Sequence, residues 1–149
     1  MKTFPNQSLP KAIIKLWQSS GKTIRIHVDG HSMRPYLKKN DQVELHLSQP
    51  NVFQFKIGDV IAFLQDDIIV IHRYLKKKKI NNKWMVCQRG DNLRGFRWID
   101  SNQIIGTATA IYRDNKKIDL QDRFRGLQNR CLGCLSWIWV FGLENMYKA

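Results

Sequence analysis

Apolar and polar residues alternate along most of the central part of the chain. The alternation is clear at residues 23–28 and again at 42–47, where Val43, Leu45 and Leu47 are interleaved with polar residues. Successive side chains of a strand point to opposite faces of a sheet, so this pattern predicts strands with one buried face. Further β-branched or alternating runs predict strands at 60–64, 68–75, 83–88 and 104–112. Short strands at this spacing predict a mainly β, coiled and antiparallel domain.

The two ends of the chain have a helical pattern instead. Ser8 and Pro10 are typical of a helix start, and the Ser-Ser-Gly sequence at 19–21 is typical of a helix end. One face of this predicted N-terminal helix would carry Leu9, Ile13, Leu16 and Trp17. Near the C-terminus, helical spacing is shown by Leu127, Cys131, Leu135 and Ile138. This second pattern predicts one helix or two short ones.

Polar clusters between the predicted strands predict the turns. The Gln-Asp-Asp sequence at 65–67 predicts a hairpin between two strands. The four lysines at 76–79, with Asn81 and Asn82, predict the polar tip of a second hairpin. A loop containing Gly95 precedes the last predicted strand.

The length and charge of the chain set its broad class. With 149 residues it suits one domain with a real core. We divide it into an N-terminal helical segment (1–22), a β-domain (23–119) and a C-terminal helical segment, basic and then apolar (120–149). Lys and Arg number 25 against 12 Asp and Glu, for a net charge of +13. This balance is typical of a protein with an anionic partner, nucleic acid or an anionic membrane, and also of a solvated basic surface.

The cysteines do not form a recognisable framework. There are three, at Cys87, Cys131 and Cys134, which is too few and odd in number for a set of disulfides. The last two have Cys-x-x-Cys spacing, but no second Cys or His pair lies at zinc-finger distance. We therefore predict no metal site and plain apolar packing for these residues.

We expect neither a secretory signal nor a membrane-spanning helix. The N-terminal residues lack the apolar core of a signal, and the longest apolar run, residues 131–143, is too short to span a bilayer. The prediction is a cytoplasmic or peripherally membrane-associated protein. Arg123 and Arg125 precede Trp137 and Trp139, a combination that suits shallow binding to an anionic membrane. Packing of the same segment on the β-domain is the alternative, and both stay open.

The first candidate for chemistry is Ser32, in the sequence Gly-His-Ser-Met-Arg-Pro at 30–35. It follows the predicted strand at 23–28, Gly30 allows a tight turn, and Pro35 constrains the outgoing chain. Such a turn would hold a hydroxyl at the end of a strand, with the backbone N–H groups of Ser32 and Gly30 as an oxyanion hole. From this segment alone, an ordinary serine in a turn is the alternative.

A serine hydroxyl needs a neighbouring base, and His72 is the candidate. It lies in an apolar predicted strand in which Val70, His72 and Tyr74 share one face. Its ordinary pKa of about 6.5 suits proton transfer near neutral pH. His31 is a rival base, although adjacent residues of a turn usually point apart from Ser32. A histidine satisfied within the core is the alternative interpretation.

Asp91 is the candidate for the third position of such an arrangement. It lies just after the predicted strand at 83–88, in the sequence Gly-Asp-Asn. If that hairpin folds back, the carboxylate would orient His72 or stabilise its protonated form. A turn residue that bonds to its own backbone is the alternative.

Together these segments resemble the serine peptidase superfamily that contains type I signal peptidases and the self-cleaving repressors of the SOS response. Residues 30–35 resemble its nucleophile box, and Ile-His-Arg at 71–73 resembles the box that carries the base. Residues 39–43 resemble the following Gly-Asp box, with Asn in place of Gly, and residues 58–63 resemble another. The resemblance spans about residues 23–113, and it implies a signal-peptidase-like fold for the β-domain.

Most bacterial members of that superfamily have lysine as the base. The histidine here is similar to the archaeal and endoplasmic-reticulum type of signal peptidase. Residues 88–92 (Gln-Arg-Gly-Asp-Asn) are similar to the Asp box of that branch, which implies Asp91 as the acid, with Asp100 in reserve. Signal peptidases commonly have Ser two residues before the nucleophile. Because this chain has Gly30 there, its oxyanion hole would use backbone N–H groups, including that of Ser32.

The resemblance implies a serine endopeptidase with Ser32 as nucleophile, His72 as general base and then acid, and Asp91 as orienting carboxylate. It would cleave a peptide or protein precursor through an acyl-enzyme, with no metal or organic cofactor and no nucleic-acid partner. The substrate would bind extended along a strand edge. The alternative from another class is a non-enzymatic, basic, β-rich nucleic-acid-binding module that uses the lysines at 76–79.

Overall fold

The computed structural model describes residues 3–4, 10–49, 51–121, 130–135 and 138, the first two as backbone. In chain order the elements are β1 (Thr3–Phe4), α1 (Lys11–Ser19), β2 (Thr23–His27), β3 (Gln42–Leu47), β4 (Val60–Gln65), β5 (Ile68–Ile80), β6 (Lys83–Arg89), β7 (Arg97–Asp100), β8 (Ile104–Arg113) and β9 (Lys116–Asp119). A short 3-10 helix at Ser101–Gln103 joins β7 to β8, and residues 130–135 are helical.

The strands form one nine-stranded sheet. Its order is β1-β2-β3-β8-β4-β5-β6-β7, and β9 pairs with β8 beside this path. The pairings are antiparallel except for β1 with β2, which is parallel. The prediction of a mainly antiparallel β-domain with a short N-terminal helix and a helical segment near the C-terminus is therefore confirmed. The segment before residue 23 also adds β1 to the sheet, which the sequence pattern did not indicate.

Two-residue turns of Asp and Asn close three of the hairpins. These turns are Asp66-Asp67, Asn81-Asn82 and Asp114-Asn115, and both residues of each have a positive φ. A turn with two positive φ values matches the right-handed twist of the flanking strands. Asn and Asp adopt this left-handed conformation with less strain than other side chains. These dipeptides therefore fix where each hairpin reverses.

The lysines at 76–79 lie within β5 and not at the predicted hairpin tip. The strand continues to Ile80, and Asn81 and Asn82 alone form the turn. Aromatic rings explain how a run of lysines remains in a strand. The ammonium of Lys77 lies 4.3 Å from the centre of the Phe53 ring, and that of Lys78 lies 4.1 Å from the centre of the Trp98 ring. Cation–π attraction and packing of the lysine stems thus offset the poor strand propensity of lysine.

Two short strands, β7 and β9, were not predicted. Each spans only four residues and pairs along its length with a longer strand, β7 with β6 and β9 with β8. Four residues give too little alternation for a sequence pattern to register. These two segments are strands because they pair with a longer neighbouring strand, and their own residue types do not indicate it.

The predicted apolar face of the N-terminal helix is only partly packed on the core, and Leu9 lies outside the described residues. Ile14 is 1% exposed and is the buried residue of α1, whereas Ile13 is 38% and Leu16 is 66% exposed. Gln18 lies on the packed side, where its amide donates hydrogen bonds to the carbonyls of Ser48 (3.1 Å) and Ile104 (3.3 Å). Trp17 is half-buried and packs against the core as well, so two apolar residues and one amide anchor this short helix.

The two faces of the sheet carry separate apolar clusters. In β4 the side chains of Val60 and Ala62 join one cluster, and those of Ile61 and Phe63 join the other. Strand β5 divides in the same way, because Ile69 belongs to the first cluster and Tyr74 to the second. The period-two pattern of the sequence therefore predicted the faces of these central strands correctly.

The described part of the C-terminal segment packs on the sheet domain. A methyl group at Gly133 would lie 2.5 Å from the Cα atom of Gly58, so the two backbones meet closely at these glycines. Cys131 and Cys134 are exposed, so the apolar packing predicted for this pair is wrong, whereas Cys87 is buried. Within the described ranges no helix is long and apolar enough to cross a membrane. Residues 136–137 and 139–149, with the tryptophans of the predicted membrane contact, lie outside the described residues.

The turn at Asn81-Asn82 yields a test of this hairpin geometry. Replacing Asn82 by Val puts a β-branched residue at a φ of 63°, and we expect the free energy of unfolding to fall by about 1–2 kcal/mol. Asn82→Gly should leave it nearly unchanged, since glycine adopts positive φ freely. Chemical denaturation of the three proteins measures the difference. Equal losses for Val and Gly would contradict the turn assignment.

Candidate active site

The structure brings Ser32 and His72 into hydrogen-bond contact. Ser32 lies in the loop between β2 and β3, and His72 lies near the start of β5, forty residues away in sequence. Their Oγ and Nε2 atoms are 3.0 Å apart. His72 is 8% exposed and its ring packs edge-on to Phe63, with 5.8 Å between ring centres. A hydroxyl and an imidazole at this distance, shielded on one side, can exchange a proton.

The loop that carries Ser32 is anchored in the core. Met33 and Leu37, on either side of the exposed Pro35, are buried in the first apolar cluster. At the base of the loop, the N–H of Val28 donates to the carbonyl of Asp41 (2.9 Å) and that of Asn40 donates to the carbonyl of Val28 (3.0 Å). The loop is therefore closed at its base and filled from within, which fixes the backbone at the serine.

A buried carboxylate holds the far end of this loop. Asp41 accepts two hydrogen bonds from Arg113 (2.9 and 2.6 Å) and one from the N–H of Lys38 (2.7 Å). The same guanidinium donates to the carbonyl of Tyr36 at 2.9 Å. Burial opposes ionisation of Asp41, but the bonds from Arg113 and Lys38 outweigh it and hold its pKa below the ordinary value. Asn40, beside this carboxylate, has a φ of 72°.

Gln88 occupies the third position of the arrangement. Its Oε1 atom lies 2.5 Å from Nδ1 of His72, and its side chain is 2% exposed. As an acceptor, Oε1 requires a proton on Nδ1, which leaves the lone pair of Nε2 directed at the hydroxyl of Ser32. Gln88 therefore selects the tautomer in which His72 is a base toward Ser32. A neutral amide does this without adding negative charge to the site.

Burial keeps His72 in its neutral form. Desolvation lowers the pKa of its imidazole below the ordinary value, and the charge of Arg97 acts in the same direction. The hydrogen bond to Gln88 and the charge of Asp91 oppose the shift without reversing it. Around neutral pH the ring is therefore unprotonated and ready to accept a proton.

Asp91 lies near this pair but contacts a different residue from the expected one. Its two carboxylate oxygens accept hydrogen bonds from Nε (2.6 Å) and Nη2 (2.9 Å) of Arg73, whose side chain is fully buried. Arg73 also donates to the carbonyl of Gly58 (3.0 Å) and lies 4.3 Å from the centre of the Tyr36 ring. Since Gln88 occupies Nδ1 of His72, the carboxylate acts on the imidazole through space and through the position of its own loop.

That loop touches the serine directly. The N–H of Asn92 donates to the carbonyl of Ser32 at 2.7 Å, and its side-chain amide donates to the carbonyl of His31 at 3.3 Å. A methyl group at Gly90 would lie 2.6 Å from the carbonyl oxygen of Ser32 and 3.0 Å from Nε2 of His72. Only glycine leaves room for the Ser–His contact here, so Arg73 and Asp91 position the loop that packs against it.

The remaining predicted site residues have other positions. The carboxylate of Asp100 accepts a hydrogen bond from the N–H of Asn102 and caps the short 3-10 helix, so the reserve acid has a structural role. His31 is exposed, and its backbone carbonyl accepts the hydrogen bond from the side chain of Asn92. The histidine that contacts the serine is His72. Gly30 is exposed, and nothing lies within 4 Å of a methyl group placed on it. No group of His, Cys, Asp and Glu in the described ranges is arranged to hold a metal ion.

A mainly apolar cleft opens beside Ser32. It has a volume of about 160 Å³. It lies between residues 26–30, at the end of β2 and just beyond it, and residues 68–71 at the start of β5. Strand β6 pairs with β5 only from Arg73 onward. Among the described strands, none pairs with the 68–71 edge on the side opposite β4. The cleft therefore exposes unpaired backbone groups next to the serine.

Sequence reasoning missed Gln88 and the role of Arg73. Both are polar residues next to buried apolar residues of their strands, and both are buried themselves. A buried polar side chain needs a partner, so this pattern was a signal that each has one. The partner itself depends on strand register, which places Arg73 opposite Arg89 and Tyr74 opposite Gln88.

Neither a family model nor a curated protein matches this chain. The site is therefore interpreted from its own geometry.

The proton on His72 can be followed directly. By NMR titration we expect its pKa below the ordinary value of 6.5, and Gln88→Glu should raise it because a carboxylate on Nδ1 favours the imidazolium. Since the unfolded chain binds this proton more readily, the free energy of unfolding should decrease as pH falls below about 6.5. A pKa for His72 above the ordinary value would contradict the buried, neutral imidazole.

The Arg73–Asp91 pair predicts a large stability effect. Asp91→Asn leaves a fully buried guanidinium without its counter-charge, so we expect the free energy of unfolding to fall by about 3–5 kcal/mol. Asp67→Asn, at an exposed ion pair with Lys11, is the matched control and should change it by less than about 1 kcal/mol. Urea denaturation compares the two. Similar values for both variants would show that the buried pair does not hold the fold.

Proposed function

We propose that this protein is a serine endopeptidase with Ser32 as nucleophile and His72 as general base. The observation that carries the proposal is the 3.0 Å contact between Ser32 Oγ and His72 Nε2, with Gln88 on Nδ1. Nucleophile, base and orienting group thus follow one another by hydrogen bonds, as the chemistry requires. Gln88 takes the orienting position that the sequence assigned to Asp91.

The mechanism follows from which atom holds the proton. His72 Nε2 accepts the proton of Ser32 as Oγ attacks the scissile carbonyl, and the imidazolium then donates that proton to the departing amine. The serine ester that remains is attacked by water, again with His72 as base, which releases the acid and restores Ser32. Asp91 favours the imidazolium through space. Gln88 keeps Nδ1 protonated throughout.

The oxyanion of the tetrahedral intermediate needs N–H donors beside Ser32. The carbonyl of Ser32 is fixed by the N–H of Asn92 (2.7 Å), which orients the peptide units around the nucleophile. We assign the N–H of Ser32, together with that of Gly30, as donors to the oxyanion. Gly30 lines the cleft and presents no side chain to the incoming carbonyl.

The cleft beside Ser32 suits an extended peptide. The unpaired edge at 68–71 supplies backbone donors and acceptors, and a peptide added there would extend the sheet by one strand. The buried side chains of Met33 and Ile69 line the cleft and favour apolar or small residues before the scissile bond. The backbone would provide affinity, and these pockets would provide selectivity.

The alternative, a basic nucleic-acid-binding module, is supported by the net charge of +13. Lys77 and Lys78 lie against aromatic rings of their own domain, which gives them a structural use. The two functions predict opposite responses to loss of the serine hydroxyl. A binding module would be indifferent to Ser32→Ala and would weaken steeply with salt.

Ser32 should react with a fluorophosphonate probe. We expect stoichiometric labelling of the wild-type chain, none of Ser32→Ala, and labelling slower by a factor of about 10²–10⁴ for His72→Ala. Ser19→Ala, in the exposed last turn of α1, is the matched control and should label normally. Mass spectrometry locates the adduct. An adduct on Ser32→Ala at the wild-type rate would overturn the proposed nucleophile.

Gly90 gives a test of the geometry that removes none of the reacting side chains. Gly90→Ala should slow labelling of Ser32 by about a hundredfold, because the added methyl displaces the serine backbone or the imidazole. Gly95→Ala adds the same methyl group where nothing lies within 4 Å. It should label at the wild-type rate. Equal labelling of both variants would contradict the close packing of Gly90 on the Ser–His pair.

A further inference from the structure

A second pocket adjoins His72, apart from the cleft at Ser32. It has a volume of about 380 Å³ and is formed where the loop between β6 and β7 covers the imidazole and the side chain of Gln88. Ser32 lines the first cleft and not this pocket, whereas His72 lines this pocket and not the first cleft. The two cavities share no lining residue, so each adjoins a different member of the Ser–His pair.

Arginines dominate the lining of this pocket. Arg89, Arg94 and Arg97 contribute three guanidinium groups, and none of the described residues that line it is acidic. The other polar lining groups are amides, from Gln65 and Gln88, and the imidazole of His72. Three like charges around one cavity raise the local potential and favour a bound anion. Nothing in the reaction of Ser32 with a peptide requires this charge.

The arginines differ in what they do for the loop. Nε of Arg89 donates to the carbonyl of Leu93 at 2.9 Å and so fixes the start of the loop. Arg94 and Arg97 are exposed at the pocket rim, and Arg97 is close enough to oppose protonation of His72. One arginine therefore shapes the pocket, and two present their side chains to a ligand.

The position of the pocket relative to the reaction identifies which part of a substrate reaches it. His72 must donate its proton to the leaving amine, so the amine and the residues that follow it lie on the imidazole side of the scissile bond. The acyl part lies in the apolar cleft beside Ser32. The segment released first therefore passes the arginine pocket.

We propose that this pocket binds a carboxylate of the substrate within the first few residues after the scissile bond. The inference rests on the proposed endopeptidase function and assigns its substrate class: apolar or small residues before the cut and an acidic group after it. Guanidinium groups recognise carboxylates through paired, charge-assisted hydrogen bonds, which suits two arginines at one rim. The carboxylate comes either from an Asp or Glu side chain or from the free C-terminus of a substrate that ends shortly after the cut.

A library of peptides from a digested proteome is the first probe. The full chain is incubated with it, and cleavage sites that depend on Ser32 are sequenced by mass spectrometry. We expect Asp and Glu, or peptide C-termini, to be enriched by about fivefold in the first positions after the cut, as for an exposed charge pair. The double variant Arg94→Gln/Arg97→Gln should lose this enrichment and keep the preference before the cut.

The matched control removes the same charge elsewhere. Lys83→Gln/Lys116→Gln lowers the net charge by two at exposed positions far from the pocket and should keep the acidic preference. The measured quantity is the ratio of acidic to neutral sites within each protein, so a change in overall rate cancels. Melting temperatures within about 4 °C of wild type show that the variants are folded.

Synthetic peptides then separate the two sources of the carboxylate. One pair has Glu or Gln at the enriched position, and a second pair ends there with a free acid or an amide. Faster cleavage of the Glu peptide identifies a side chain, and faster cleavage of the free acid identifies a terminus. Both preferences should weaken as salt is raised.

The outcomes that oppose the inference are distinct from those that oppose the proposed function. Ser32-dependent cleavage without acidic enrichment, or enrichment unchanged in the double arginine variant, overturns the pocket assignment and leaves the endopeptidase standing. No fluorophosphonate labelling and no Ser32-dependent cleavage of any peptide overturns the endopeptidase, and the pocket assignment with it.

Discussion

The candidate site depends on one buried ion pair, between Arg73 and Asp91. Arg73 follows His72 in β5 and points to the opposite face of the sheet, where its guanidinium is fully buried. Its two hydrogen bonds to Asp91 (2.6 and 2.9 Å) fix the loop after β6 against β5. A buried guanidinium without a counter-charge is strongly unfavourable, so the loop has one stable position. That position brings Gly90 against the Ser32–His72 contact.

Two loops, each fixed by an arginine and a carboxylate, thus meet at the serine. Arg113 and Asp41 hold the loop between β2 and β3, and Asn92 joins it to the second loop through the carbonyl of Ser32. The reacting groups themselves carry no net charge, because Gln88 is an amide and burial keeps His72 neutral. The two charged pairs position the loops, and the hydrogen bonds that join Gln88, His72 and Ser32 prepare the proton transfer.

The strands of the fold could be predicted from the sequence, but their full extent and the helix face could not. The alternation of apolar and polar residues predicted both ends of β3 correctly. In a strand with one buried face, every second side chain is apolar. The lysines of β5 were misplaced because cross-strand contact with Trp98 is not a local property. Leu16 was placed on one apolar face with Ile13 and Trp17, but the helix packs through Ile14 and Trp17 and leaves Leu16 in solvent.

For the site, the sequence by itself predicted that Ser32, His72 and Asp91 lie close together, because their three segments resemble boxes of one peptidase superfamily. Only the tertiary structure decided which atoms meet. The register between β5 and β6 places Gln88 in hydrogen-bond contact with Nδ1 of His72. Asp91 pairs with Arg73 instead, because the buried guanidinium needs a counter-charge. A change of a few tenths of an ångström in the distance between two side-chain atoms decides whether they form a hydrogen bond. Residue order along a chain does not contain those distances, because several registers preserve the same alternation of faces.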